Sequence, residues 1–143
     1  MGAGWKLRLP VLCAALWWGS LTTTGFLVVP LLFAHLPSPA LAGQTAARLF
    51  SAQTWVALAC GLLLMMTSRS RGETARMDWA GGALLYVAAG MLLAVLAEFA
   101  IAPRIIAREN LRLWYSVGSG MYLLQWLCAG VVLWKLTDES RSR

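Results

Sequence analysis

The chain has 143 residues, 59% of them hydrophobic and 13% charged, with a mean hydropathy of +0.67. That balance excludes an ordinary soluble domain, in which about a quarter of the residues are charged. The net charge of +6 sits at the ends of apolar segments rather than in a basic stripe interleaved with aromatics, so the pattern fits a lipid bilayer as partner and not nucleic acid.

Four apolar segments, at about 10–34, 46–67, 79–101 and 113–136, each approach the length that crosses a bilayer. They lack the alternation of barrel strands, and segments of this length in lipid must satisfy their backbone internally, so all four read as helices. The expectation is a single all-α transmembrane domain over residues 1–143, an integral membrane four-helix bundle with a short polar tail from about residue 138. Lys6, Arg8, Arg69, Arg71, Arg76, Lys135, Arg141 and Arg143 fall on one side, and Arg48, Arg104, Arg108 and Arg112 on the other. This bias predicts both termini in the cytoplasm of a multi-pass membrane protein. Lys6 and Arg8 before an apolar run, with Ala40-Leu41-Ala42 after it, imitate a secretory signal; the run is too long for one, so a retained first helix is expected.

In the first helix Gly19, Thr22, Thr23, Phe26, Pro30 and Phe33 share a face on a regular helical projection. Small residues and hydroxyls permit close approach, and a proline at depth frees a carbonyl, so this face is expected to meet protein. The exit His35-Leu36-Pro37-Ser38-Pro39 predicts a stop, with Ser38 capping a short new turn that starts at Pro39, ahead of a second helix from Ala46 to Thr67. The second helix gathers Gln53, Ala57, Cys60, Gly61 and Leu64 on one face, and the basic stretch from Ser68 to Arg76 reads as a turn. Glu98, inside the third apolar segment, shares a face with Ala83, Val87 and Ala94, which directs it into the bundle. Pro103 is expected to end that helix. A solvated connection from Arg104 to Arg112 leads to the fourth helix, where Gly118, Tyr122 and Cys128 surround Gln125.

The two halves echo one another. Phe26-x-x-x-Pro30 matches Phe99-x-x-x-Pro103, and Gln53 and Gln125 follow at nearly equal distance. Either the hairpins form a parallel repeat about an axis along the membrane normal, or two apolar hairpins resemble each other by chance.

With cytoplasmic termini, His35, Arg48, Gln53, Glu98 and Arg104 are placed at the outer helix ends together with Trp114, Tyr115 and Ser116. A carboxylate near the apolar boundary needs a cation or donors; one reading pairs Glu98 with Arg48 or, second, with Arg104, and the other makes it a proton or cation site. His35 is the only histidine, and Cys13, Cys60 and Cys128 are widely spaced inside apolar segments. No metal site and no cofactor is therefore expected. No nucleophile elbow, P-loop or metalloprotease motif occurs, which predicts a non-enzymatic protein. Gly19, Thr23, Phe26, Pro30, Ala83, Ala94, Gly118 and Gln125 are expected to pack the helices together.

Taken together, Trp18-Gly19, Phe26, Pro30, Phe33, Ala42-Gly43 before Leu49-Phe50, and Glu98-Phe99 with Pro103-Arg104 resemble the small bacterial proteins of the transmembrane protein 205-like domain family. That family is similar to the membrane domain of copper resistance protein D. The resemblance implies a four-helix architecture and, by analogy, a link to transport or tolerance of a metal or small toxic solute. The competing reading is a non-catalytic accessory subunit, packed as a homo-oligomer or within a larger membrane complex.

Overall fold

The computed structural model describes residues 2–69 and 73–141, all of them helix or short connection. Four of its helical segments are long and apolar enough to cross a membrane: Arg8–His35, Pro39–Thr67, Gly82–Ile106 and Arg112–Asp138. The expected all-helical architecture is therefore present, with each helix longer than the apolar run alone indicates. Of the basic turn at Ser68 to Arg76, residues 70–72 lie outside the described residues, and α4 already begins at Glu73.

Helix α1 (Gly2–Thr23) passes through a π-helical turn, Thr24–Val28, into α2 (Val29–His35). The chain then enters α3 (Pro39–Arg69), where the Leu41 amide donates to Ser38 Oγ at 3.2 Å, the predicted cap; the short turn expected at Pro39 is the first turn of α3 itself, which runs unbroken into the stretch from Ala46. Helix α4 (Glu73–Leu96) continues through a second π-helical turn, Ala97–Ile101, into α5 (Ala102–Ile106). A tight connection with left-handed backbone at Arg108 and Asn110 leads to α6 (Leu111–Arg141), which begins as the Leu113 and Trp114 amides donate to the Asn110 carbonyl.

Two expectations about helix ends are corrected. Pro103 does not end the third span: Ala102 keeps helical angles (φ −57°, ψ −44°) and the chain stays helical to Ile106. In a regular helix the proline ring collides with the carbonyl four residues back, and its missing N–H breaks a bond. The π turn absorbs both problems, because the Ala102 amide donates to the Ala97 carbonyl, five residues back, and the wider turn makes room. The first span solves Pro30 in the same way, with Val29 donating to Thr24. Residues after 138 continue α6 to Arg141 rather than forming a separate tail.

Packing runs around a ring, α1 against α3, α3 against α4, α4 against α6 and α6 against α1. The core bears out the echo between the halves. Pro10, Ala14, Trp17 and Leu21 are buried in α1, and Ala83, Val87, Gly90 and Ala94 are buried in α4 at one constant offset. Gln53, Ala57, Cys60 and Leu64 of α3 correspond in the same way to Gln125, Ala129, Val132 and Leu136 of α6. The two π turns obey the offset of the first set. Cys13, Ala42, Ala46, Thr54, Gly61 and Ile101 are buried without a buried counterpart. The bundle is thus two helical hairpins related by an approximate twofold along its length, the arrangement of a parallel repeat.

Equivalent positions that face one another at the axis cannot both be large. Trp17 is fully buried, and a Cβ added to its counterpart Gly90 would lie 2.6 Å from the indole Cη2. Around the ring, Trp18 of α1 lies over Gly130 of α6, and its counterpart Met91 of α4 lies over Gly61 of α3.

Three of the expected packing positions are corrected. A Cβ on Gly19 would meet nothing within 4 Å, and Thr23 and Pro30 are exposed. The buried face of α1 is the one through Pro10, Ala14, Trp17 and Leu21, so the small partner that permits close approach lies on the facing helix, as Gly90 opposite Trp17. A wheel centred on Gly19 and turned uniformly through Pro30 also misses the phase shift that the π turn introduces. Ala83, Ala94 and Gln125 are buried as expected, and Gly118 abuts Ile101, whose Cγ2 would lie 3.3 Å from an added Cβ.

Candidate functional site

Both π turns lie toward the end of the bundle away from the termini, and between them is a partly open cavity of about 430 Å3. Its wall draws on both halves: Gly25, Phe26, Val29 and Phe33 from the first span, and Ala97, Glu98, Ile101, Ala102 and Ile105 from the third. Helix α3 adds Phe50, Gln53 and Thr54, and α6 adds Tyr115, Tyr122 and Gln125. Counterparts from the two hairpins recur in the wall, Gln53 with Gln125 and Phe50 with Tyr122, so the cavity lies on the approximate twofold.

The walls are mostly carbon. Phe50 and Tyr122 meet edge to face with centroids 5.3 Å apart, and Phe26 meets Trp126 likewise at 5.5 Å. Tyr122 reaches across to donate its hydroxyl to the Leu21 carbonyl, occupying the space that Gly25 leaves free. Trp126 Nε1 donates to Thr22 Oγ1 at 2.8 Å, while Thr22 in turn donates to the Trp18 carbonyl. The first bond fixes Tyr122 at the wall, and the second fixes Trp126, which packs against the wall residue Phe26.

Glu98 occupies the second residue of its π turn, equivalent to Gly25 in the first. It is half-buried, and Ser51 Oγ of α3 lies 2.8 Å and 2.9 Å from its two carboxylate oxygens. One hydroxyl supplies one proton to a group with about four acceptor sites, so most of its hydrogen-bonding capacity is left for the cavity. The third span runs on to Ile106, which places Glu98 roughly 12 Å from the helix end at 1.5 Å per residue, about twice the depth expected if Pro103 ended it.

The two glutamines are equivalent in position and different in surroundings. Gln53 is 6% exposed; its Nε2 donates to Ser20 Oγ at 2.8 Å, and its Oε1 accepts from Thr24 Oγ1 at 3.4 Å. Gln125 is 5% exposed, and its Nε2 has no hydrogen-bond partner. The positions that correspond to Ser20 and Thr24 in the second half are Leu93 and Ala97, which offer nothing to an amide.

Of the polar set expected at this end, the structure brings Gln53, Glu98 and Tyr115 to the cavity. Arg48 and His35 stand outside its wall; His35 Nδ1 lies 3.1 Å from the Leu31 carbonyl, so Nδ1–H donates there and closes the last turn of α2. Ser116 donates to the Arg112 carbonyl at 2.8 Å. The expected arginine partner of Glu98 is not found among the described residues, since the Arg104 guanidinium lies over the Trp114 ring, 4.3 Å from its centroid. Sequence reasoning missed Ser51 because it sought a cation for the carboxylate, although a hydroxyl on the facing helix meets the same need. It also missed the asymmetry between the glutamines, which aligning Ser20 and Thr24 with Leu93 and Ala97 would have exposed.

The architecture and cavity define a class, a four-span helical membrane protein built from two like hairpins around a largely apolar cavity with a carboxylate in its wall. More particularly, the chain belongs to the family described as a domain of unknown function (DUF4149), which it matches over residues 12–113. No curated protein and no solved structure matches it.

Proposed function

We propose that this protein binds an amphiphilic organic cation within the bundle, as a step in its transport or in tolerance of it, in a bacterial inner membrane with both termini cytoplasmic. The observation that carries the reading is Glu98, a carboxylate held by a single hydroxyl in a largely apolar cavity. An intramembrane carboxylate left partly unserved by its own protein favours an incoming positive charge, and the aromatic walls suit an apolar body. Phe26 belongs both to the cavity wall and to the outer surface, at 53% exposure, which supports entry sideways from lipid. The resemblance read in the sequence to transmembrane protein 205-like domains, a family similar to the membrane domain of copper resistance protein D, would fit a role in tolerance. Of the two solute types it suggests, the cavity favours the organic one: its lining is largely carbon, with Glu98 as the charged side chain in its wall.

The test is binding of N,N-dimethyl-5-phenylpentylamine to the purified protein in detergent, followed by tryptophan fluorescence and by calorimetry. Saturable binding that falls about tenfold or more in Glu98→Gln, with the fold intact, supports the reading. Equal affinity of the two proteins, or no binding by either, overturns it and favours the accessory-subunit alternative.

A further inference from the structure

We infer that Gln125 is a second recognition point in the cavity, a hydrogen-bond donor kept unpaired by the protein so that it selects cations that also carry an acceptor oxygen. The inference rests on the cation-binding reading of the same cavity and adds the chemistry of the occupant's other end. Its basis is the comparison of the two halves. At the equivalent position, Gln53 is served by Ser20 and Thr24. Around Gln125 those hydroxyls are replaced by Leu93 and Ala97, and the amide nitrogen is left alone in a residue that is 95% buried and lines the cavity.

A buried amide without a partner costs more than an apolar side chain of similar size in its place. Packing alone would favour leucine or methionine at residue 125, and a structural amide would be matched as Gln53 is. An acceptor brought in by an occupant satisfies the nitrogen. The cavity then reads its occupant at two points, positive charge at Glu98 and a carbonyl or similar oxygen at Gln125. A molecule that lacks the oxygen leaves the amide unpaired and binds less well, the basis on which sites built to hydrogen-bond a ligand reject analogues that cannot respond.

Two measurements test this, one without any ligand. In the ligand-free protein in detergent, Gln125→Leu is expected to raise the melting temperature by about 3 °C, since it removes the unpaired group, whereas Gln53→Leu lowers it by breaking two bonds. In binding, 5-dimethylamino-1-phenylpentan-1-one is compared with N,N-dimethyl-5-phenylpentylamine, which differs only in lacking the carbonyl. Wild-type protein is expected to prefer the ketone by about threefold to tenfold, and Gln125→Leu to lose that preference while keeping its affinity for the plain amine. A lower melting temperature for Gln125→Leu, or equal affinity of the wild type for both amines, overturns the inference. Loss of both amines' binding in Glu98→Gln supports the cation reading separately, so a failure at residue 125 is distinguishable from a failure of the cavity to bind cations.

Discussion

Trp17 and Gly90 occupy equivalent positions in the two hairpins and meet at the centre of the bundle, the indole filling the space that the glycine leaves. An approximate twofold brings like positions face to face, and two indoles do not fit there. A core with no room for extra atoms resists them at a cost of roughly 1–3 kcal/mol. A Cβ at residue 90 would lie 2.6 Å from Cη2 and 2.7 Å from Cζ2 of the fully buried Trp17 ring. Gly90→Ala should therefore melt well below wild type in detergent, and Trp17→Phe in the same chain should recover part of the loss. Gly19→Ala is the control: its Cβ meets open space, so the helix propensity of alanine should make it neutral or stabilising by up to about 1 kcal/mol. Equal melting temperatures for Gly90→Ala and Gly19→Ala would contradict this account.

The same pair shows how much of the fold was legible in the sequence. Four spans follow from hydrophobic length alone, and the shared Phe-x-x-x-Pro and glutamine positions already hint at a repeat. The packing face of α1 was misread because a small residue was taken to mark the contact on its own helix, whereas in this bundle the large residue and its small counterpart lie on different helices. Pro103 was misread for a different reason. The rule that proline stops a helix describes regular α-helix, and a π turn evades it at the expense of one extra residue. At the site, composition pointed to Glu98 and Gln53, but the donor at Ser51 and the isolation of Gln125 depend on which helices are neighbours, and a single sequence contains that only through its repeat.

Glu98 should be coupled to Ser51 and not to Arg48. A hydrogen bond to a charged group contributes about 1.5–3 kcal/mol, and deleting either partner leaves the other half-buried and without its bond. A double-mutant cycle of Ser51→Ala and Glu98→Gln, read by thermal melting in detergent, is expected to show a coupling energy of about 1 kcal/mol or more. The cycle with Arg48→Gln should be additive within about 0.5 kcal/mol. Strong coupling to Arg48 would restore the ion pair that the geometry lacks.

Reporter fusions and cysteine labelling should place both termini in the cytoplasm and Ser38 and Glu109 outside. The motive is the excess of basic residues on the side of the termini, which retains those segments in the cytoplasm. An external amino terminus would reverse the bundle and turn the cavity end toward the cytoplasm.

Pro30 and Pro103 should matter to the cavity more than to stability. Each stands just past a π turn, Thr24–Val28 or Ala97–Ile101, and the turn's extra residue sets the rotation of Gly25 and Glu98 relative to the helix that follows. Replacing proline by alanine returns an N–H and removes the ring that collides with the carbonyl four residues back, so regular α-helix becomes accessible again. Relaxation to it would turn the side chains on one side of the site by about 100° relative to the other, since that is the step of one residue. In Pro103→Ala, Glu98 would then swing away from Ser51 and from the cavity. The expected outcome is an unchanged or higher melting temperature together with amine binding weakened by about tenfold, a combination that simple unfolding does not produce. Pro30→Ala should affect binding in the same direction by reorienting Gly25 and Phe26. Full affinity in both variants would mean that the π turns persist without their prolines, and the cause would then lie in the packing of Tyr122 against Gly25 and of Ser51 against Glu98.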